Sequence, residues 1–369
     1  MEFLYFILVT IYSILLILLI FSWKKLPLFP LTEDIIFKEG PSISIVVAFR
    51  NEEMNIKQLV ESLIKQSYTN YNIILVNDHS EDQSLALIPH HPLIKTISLP
   101  NDLTGKKQAI RYGIEQSDSQ LILTTDADCV HHKDWVTSFA NTYLSRNAKM
   151  ISGPVRFSYQ NFWEKCMNAE FGSLILTGAA SIGIKKPNMC NAANLCFERD
   201  AFIHQNDYEQ HAHIPTGDDE FFLHQIAKEN ASDILFLKDK KAIVTSTPPK
   251  NLKEFTQQRI RWASKWKHYK NKAPLLGSLF VFFFHLSFFL TLIDVVTTND
   301  GYLLFSLTLF VKTIVETWYN HYILKWFDDD KNIVLLPIIS LFYPFYAVSI
   351  GFLSTFGNYK WKNRKIVGK

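Results

Sequence analysis

Cysteine is scarce in this chain, and an excess charge of either sign is missing. Four cysteines stand in 369 residues, Cys129, Cys166, Cys190 and Cys196, with no CxxC pair and no histidine at metal-finger spacing. That pattern excludes a disulfide framework and a zinc finger, and reads as reduced thiols in a cytosol-facing domain. The 38 Lys and Arg nearly balance 35 Asp and Glu, for a net charge of +3, so no global field marks a nucleic-acid binder. No internal repeat or low-complexity tract appears. The length suits one large domain or two ordinary ones.

Long apolar runs, by contrast, are present, and they sit at the two ends. Residues 3–22, FLYFILVTIYSILLILLIFS, are uninterrupted and long enough to span a bilayer at about 1.5 Å per residue. A signal peptide fits less well, because Glu2 stands where a basic residue is expected and no small-residue cleavage site follows. Trp23, Lys24 and Lys25 supply an interfacial aromatic and positive charges, which place the following segment in the cytoplasm. Residues 1–25 are therefore expected to be a membrane anchor.

Three further apolar stretches, about 275–297, 301–320 and 333–356, close the chain. They are interrupted by His285, Asp294, Lys312 and Glu316, and Pro337 and Pro344 lie in the last. Lys312 and Glu316 are four apart, so they either pair on one helix face or snorkel from shorter spans. The tail NYKWKNRKIVGK holds five Lys or Arg. Three crossings would put that tail outside, against the positive-inside tendency. The expectation is that the proline-broken 333–356 stretch does not cross.

The middle, 40–270, alternates strand and helix patterns. SISIVVAF (42–49), NIILVND (72–78), KTISLP and QLILTT read as strands. NEEMNIKQLVESLIKQ (51–66) reads as a helix capped by Asn51, GKKQAIRYGIEQ as another, and Ser80 to Gln83 has capping-box spacing for a third. Such alternation argues for an α/β fold with a mainly parallel sheet. Ligands bind such sheets at the carboxyl ends of strands, where Phe49-Arg50-Asn51, Asp78 and Asp126-Ala127-Asp128 all fall.

The Asp126-x-Asp128 pair is two like charges at a strand end, a costly arrangement that a divalent cation would relieve. Mg2+ or Mn2+ binds through one or two carboxylates plus substrate phosphates; the ordinary alternative is a turn or cap. Lys106 and Lys107, after Gly105, open a helix where backbone N–H groups and a lysine can meet a diphosphate, or simply form a solvated helix start. Asp218 and Asp219 precede an apolar helical pattern. They suit its dipole, with Thr216 as a possible cap, or supply a general base. QQRIRWASKWKHY (257–269) precedes the membrane segments. It is either an interfacial amphipathic helix or a pyrophosphate- and sugar-binding element. Trp262, Trp266 and Tyr269 fall at spacings that share one helix face.

Taken in order, Asp78, Asp126-x-Asp128, Asp218 and Gln258-x-x-Arg261-Trp262 resemble the D, DxD, D, QxxRW signature of membrane-embedded family 2 glycosyltransferases. That group contains cellulose, chitin and hyaluronan synthases and ceramide glucosyltransferase. The resemblance covers about residues 40–270. It implies a GT-A fold, a Rossmann-like nucleotide-binding half merged with an acceptor half, flanked here by amino- and carboxyl-terminal transmembrane helices. It also implies a nucleotide-sugar donor and Mg2+ or Mn2+ on Asp126 and Asp128.

By the same resemblance Asp78 contacts uridine, and the 48–52 AFRNE segment, with Phe49, Asn51 and Glu52, forms the base and ribose pocket. Lys106 and Asp126 lie at the phosphates, and Asn194 beside the donor sugar. Asp218, five residues before Leu223, matches the base. Where the family commonly has Glu before that aspartate, this chain has Gly217, and Asp219 follows, so both acids are candidates. Gln258, Arg261 and Trp262 would hold the diphosphate and line the acceptor mouth.

The expected organisation is an anchor at 1–25, a cytoplasmic catalytic domain with its interfacial helix at 40–270, membrane segments at 275–357 and a basic tail at 358–369. The expected function is inverting transfer of a sugar from a nucleotide sugar, inversion being implied by the family, onto a membrane lipid. Four visible spans are few for a monomeric polymer channel, which ranks a processive polysaccharide synthase second. A non-catalytic membrane nucleotide-sugar sensor is the rival of another class; it has no need of Asp218. The expected location is the cell (inner) membrane, with lipid or glycan as acceptor and no nucleic-acid partner.

Overall fold

The computed structural model describes residues 1–29, 40–204, 217–265, 271–329, 333–356, 359–361 and 364–366. Two compact units emerge. One comprises Lys25–Ser158 and Ser181–Thr247, the other Met1–Lys24, Tyr159–Ala180 and Pro248–Lys369.

The first unit is built on a seven-stranded mixed sheet. Its strands are β1 (Ile43–Phe49), β2 (Tyr71–Asn77), β3 (Ile94–Ser98), β4 (Leu121–Thr124), β6 (Met150–Ser152), β8 (Leu195–Glu198) and β9 (Ile234–Phe236), in the order β3-β2-β1-β4-β8-β6-β9. A smaller sheet, β5 (Cys129–Val130), β10 (Val244–Ser246) and β7 (Val155–Phe157), lies in the order β5-β10-β7. β1 and β2 are almost wholly buried runs of Ile, Val and Leu, as strands covered on both faces must be. β1 pairs in parallel with both β2 and β4, Phe49 opposite Asn77 and Val46 opposite Thr124. That register ends all three strands at one edge. β8 runs antiparallel to β4 and β6, and β9 pairs in parallel with β6, so within this sheet β8 alone opposes the other strands.

The helix Lys106–Glu115 packs on β1 and β2 through Gly113. A Cβ there would stand 2.6 Å from a methyl of Val46 and 2.9 Å from one of Val76, so only glycine allows the approach.

Two expected helices differ. The first begins at Ile56 with Asn55 at its cap, because Asn51 is left-handed (φ 51°) and its Oδ1 accepts the Glu81 N–H. No helix forms from Ser80. The 80–84 backbone is stitched to the 51–53 turn instead: Ser84 Oγ accepts Glu52 N–H at 2.6 Å, Asp82 accepts Glu53 N–H at 3.0 Å, and Glu53 accepts Gln83 N–H at 3.2 Å. Short polar side chains here bond backbone that a helix would otherwise use.

The second unit is helical. Phe162–Gly183, which the sequence reading left unassigned, is its centre. Ser22 of the first helix (Glu2–Lys25) donates to Ala180 O, Thr177 meets Tyr319 at 2.6 Å, and Asn168 donates to Asp329 at 2.8 Å. Aromatic packing of Tyr5 with Phe284, Phe288 and Phe305 joins the first helix to Ala273–Thr298 and Tyr302–Trp326.

Among the described residues, three helices are long and apolar enough to cross a membrane: Glu2–Lys25, Ala273–Thr298 and Leu335–Thr355. The 333–356 stretch is not broken at its prolines. Leu335–Phe356 is one continuous helix with Pro344 inside it, and Pro337 sits in its first turn, where a missing N–H costs nothing. The helix outside that set is Tyr302–Trp326, which buries Lys312 and Glu316. The two pair, Lys312 Nζ lying 2.7 Å from Glu316 Oε2 and 3.0 Å from Ser340 O.

Candidate active site

Because β1, β2 and β4 end together, the loops that follow them meet the start of the Lys106–Glu115 helix. Gly105, at φ 100°, opens that helix in a conformation that favours glycine. Its N–H donates to Asp78 Oδ1 at 3.1 Å. Lys106 donates to Asp126 Oδ1. Lys107 is buried, its ammonium 5.9 Å from the Phe221 ring centroid, and burial lowers its pKa against the opposing pull of Asp218. Three successive residues thus address the three acidic motifs.

Asp128 is half-buried, and Ser246 Oγ on β10 donates to its Oδ2 at 3.3 Å. Burial, then the charges of Asp126 and Glu52, push its carboxyl up to about 6, while Lys106 pulls it down. The acids therefore share one field, as a set awaiting positive charge should. The two acids offer carboxylate oxygens, the donor type of Mg2+ and Mn2+. Among the described residues no three His, Cys, Asp or Glu gather closely enough to hold an ion alone, so substrate phosphates would have to complete the shell.

Asp218 opens the helix Asp218–Asn230 after Gly217, which is left-handed at φ 89°. Burial, then the neighbouring charge of Asp219, raises the Asp218 pKa; Lys107 and Lys106 oppose it. Asp219 is differently placed, its Oδ2 accepting the Ala192 N–H at 3.1 Å. Thr216 lies outside the described residues.

Two residues expected at the donor are buried. Asn194 is fully buried: its Oδ1 accepts Trp135 Nε1–H at 2.9 Å, and its Nδ2 donates to Pro154 O and Ala242 O at 2.7 and 2.8 Å. Its amide braces the core and has no exposed atom for a sugar. The Phe49 ring is 2% exposed, since it points into the core; Ala48 is the open position of that segment. Asn51 and Glu52 do stand at the strand edge, Asn51 bonded to the 80–81 loop and Glu52 accepting from Asn55 at 2.8 Å.

Gln258, Arg261 and Trp262 lie, half-buried, on the helix Leu252–Ser264 of the second unit. Trp266 and Tyr269 lie outside the described residues. The sequence reading placed Arg50 at this edge without a role of its own; its Nη1 donates to Asp78 O and His79 O, each at 2.9 Å, and its Nη2 meets Glu81 at 2.9 Å. Arg50 thereby fixes the loop that carries Asp78. The acid-rich stretch His79–Asp82 facing an arginine was the available signal.

Residues 44–201 match the family model Glycosyl transferase family 2. The chain is 25% identical over 126 residues to Glycosyltransferase AglE of Haloferax volcanii, covering 33% of this chain and 41% of that protein. It is 26% identical over 183 residues to undecaprenyl-phosphate 4-deoxy-4-formamido-L-arabinose transferase of Proteus mirabilis, covering 45% and 56%. The chain thus spans about half the length of these curated relatives. The solved mannosyltransferase PcManGT of Pyrobaculum calidifontis, in complex with GDP-Man and Mn2+, superposes with a TM-score of 0.61 at 14% identity, covering 93% of this chain and 99% of that one. The fold is the GT-A type, a Rossmann-like mixed sheet, with apolar helices at both ends of the chain.

Proposed function

We propose that this chain, whose residues 44–201 form a family 2 glycosyltransferase domain, transfers a sugar with inversion from a nucleotide sugar, a UDP-sugar by the motif reading, to a membrane lipid. The observation that carries it is the convergence of Asp78, Asp126, Asp128 and Asp218 on the first residues of one helix, Gly105-Lys106-Lys107. Asp78 and the 48–52 segment would hold the nucleoside. Lys106 and the N–H groups at that helix start would face the diphosphate. Asp126 and Asp128 would hold Mg2+ or Mn2+, which when bound supplies positive charge beside the diphosphate oxygens.

In the reaction the Asp218 carboxylate takes the acceptor hydroxyl proton, and the acceptor oxygen forms its bond to the anomeric carbon. The bond from that carbon to the donor diphosphate breaks on the opposite face. The diphosphate leaves with the electron pair, its charge met by Lys106. A positioned base contributes about 10²–10⁴-fold; stabilising the leaving group contributes more.

The lipid acceptor is supported by the apolar helices and by the Proteus mirabilis relative, whose name specifies undecaprenyl-phosphate. The Mn2+ of the superposed mannosyltransferase supports the ion. Trp23, Lys24 and Lys25 support an inner-membrane protein with its catalytic unit in the cytoplasm. The test is full-length protein in lipid, a panel of nucleotide sugars, and mass spectrometry of both the lipid and aqueous fractions. One or a few sugars on a lipid is the expected product. A ladder reaching tens of sugars would replace the lipid acceptor by polymer synthesis. Nucleotide-sugar binding without transfer to any acceptor would leave a sensor.

A further inference from the structure

Arg259 occupies one of the variable positions between Gln258 and Arg261, yet it is the most buried charge on its helix, at 3% exposure. Its guanidinium is held on every side. Nε donates to Glu170 Oε1 at 3.1 Å, Nη2 bonds Glu170 Oε2, and Nη1 donates to Gln258 Oε1. The Phe255 and Trp262 rings flank it, each centroid 4.4 Å from Cζ. Glu170, itself 7% exposed, also accepts from Tyr346 Oη at 2.8 Å. The two carboxylate oxygens therefore join three helices: Phe162–Gly183, Leu252–Ser264 and Leu335–Phe356.

A buried pair of this kind adds little net stability compared with an apolar replacement, but it is costly to half-break and it fixes geometry. The bidentate fork leaves the guanidinium one orientation. In that orientation Arg259 touches two of the three residues that the family resemblance assigns to the donor diphosphate and acceptor mouth, Gln258 through a hydrogen bond and Trp262 through its ring face. Trp262 is further backed by Phe171, 5.7 Å away and next to Glu170 in sequence.

We infer that Glu170, Arg259 and Tyr346 form a buried latch that positions Gln258 and Trp262, so that the placement of this motif is dictated by the helix Phe162–Gly183 and the apolar helix Leu335–Phe356. These are positioning residues. The role assigned to Gln258 and Trp262 rests on the glycosyltransferase reading; the latch itself does not.

The test uses full-length protein in detergent or lipid and two readouts. Hydrogen exchange across residues 252–264 reads the latch without activity. Glu170→Gln and Arg259→Lys should each raise exchange at Gln258–Trp262 at least about tenfold while leaving the Lys106–Glu115 helix unchanged. Tyr346→Phe, which keeps the ring and loses one bond, covers the case in which the stronger variants do not fold, and should raise exchange about threefold. The second readout is a double-mutant cycle on transfer. Glu170→Gln should lower kcat/KM at least about tenfold in the wild-type background and less than about twofold in Trp262→Ala. Unchanged exchange overturns the latch whatever the activity. Raised exchange with undiminished transfer, or an equal loss in both backgrounds, reduces it to a structural contact. Wild-type protein that transfers no sugar defeats the glycosyltransferase reading instead, with the exchange result standing on its own.

Discussion

Asp219 Oδ2 accepts the backbone N–H of Ala192 at 3.1 Å, and that bond divides its duties from those of its neighbour Asp218. Asp219 anchors the turn before β8. Lys107 feels both acids, Asp218 the more strongly, and Lys106 adds to the field at Asp218. The base register, ambiguous between two adjacent acids in sequence, thereby favours Asp218. Asp218→Asn should keep donor binding and lower turnover at least about a hundredfold, as loss of a general base does. Asp219→Asn keeps an oxygen that can accept from Ala192 and should cost less than about tenfold. Single-turnover rates with donor titrations decide; the reverse order would shift the base by one residue.

The raised pKa of Asp218 gives activity and stability opposite slopes with pH. Its base form appears only as pH rises through a value above the ordinary 3.8, so kcat/KM should show an acidic limb displaced above the usual carboxylate range. Lys107 favours the charged form, so Lys107→Met should move that limb to still higher pH. For stability the sign reverses. A carboxyl that holds its proton more tightly when folded stabilises below its unfolded pKa and loses that contribution as pH rises through the folded value. Asp218→Asn should therefore raise Tm at pH 7 while lowering turnover at least about a hundredfold. A melting point unchanged between pH 4 and 8 in both proteins would contradict the shift.

Asp126→Ala and Asp128→Ala should each remove metal-dependent binding of nucleoside diphosphate together with turnover. Removing a ligand from a site completed by phosphates weakens both at once. Chelator should do the same to the wild-type protein, and added Mg2+ or Mn2+ should restore it. Isothermal titration with and without metal checks this; either mutant fully active in chelator would refute the metal site.

Lys312, 0% exposed, pairs with Glu316 and with Ser340 O inside the apolar helices. Lys312→Met alone leaves a buried carboxylate and should destabilise by about 3–5 kcal/mol, whereas Lys312→Met with Glu316→Leu should recover most of that loss. Thermal melts in one detergent compare the three proteins. Additive losses would show that the two side chains do not act as a pair.

Several elements were legible because they depend on neighbours in sequence. β1, β2 and β4 announce themselves as short β-branched runs, and Asp78, Asp126 and Asp128 as acids just past their ends. Lys106 at the start of a helix after Gly105 was legible for the same reason. The surroundings of Asn194 were not legible, because a motif gives a residue's position, whereas its amide is bonded to Trp135, Pro154 and Ala242, from 40 to 59 residues away. Strand alternation sends the Phe49 ring to the core and opens Ala48.

By itself, then, the sequence determined the apolar terminal helices, the α/β alternation and the acids placed at strand ends, since hydrophobic period and local turn chemistry act over a few residues. Tertiary structure alone decided which acid is anchored by Ala192, which amide is spent in the core, and that Glu170 grips Arg259 across 89 residues. Those outcomes depend on which buried polar groups find partners when distant segments pack, and a buried group left without one costs about as much as a whole domain can spare in a few sites.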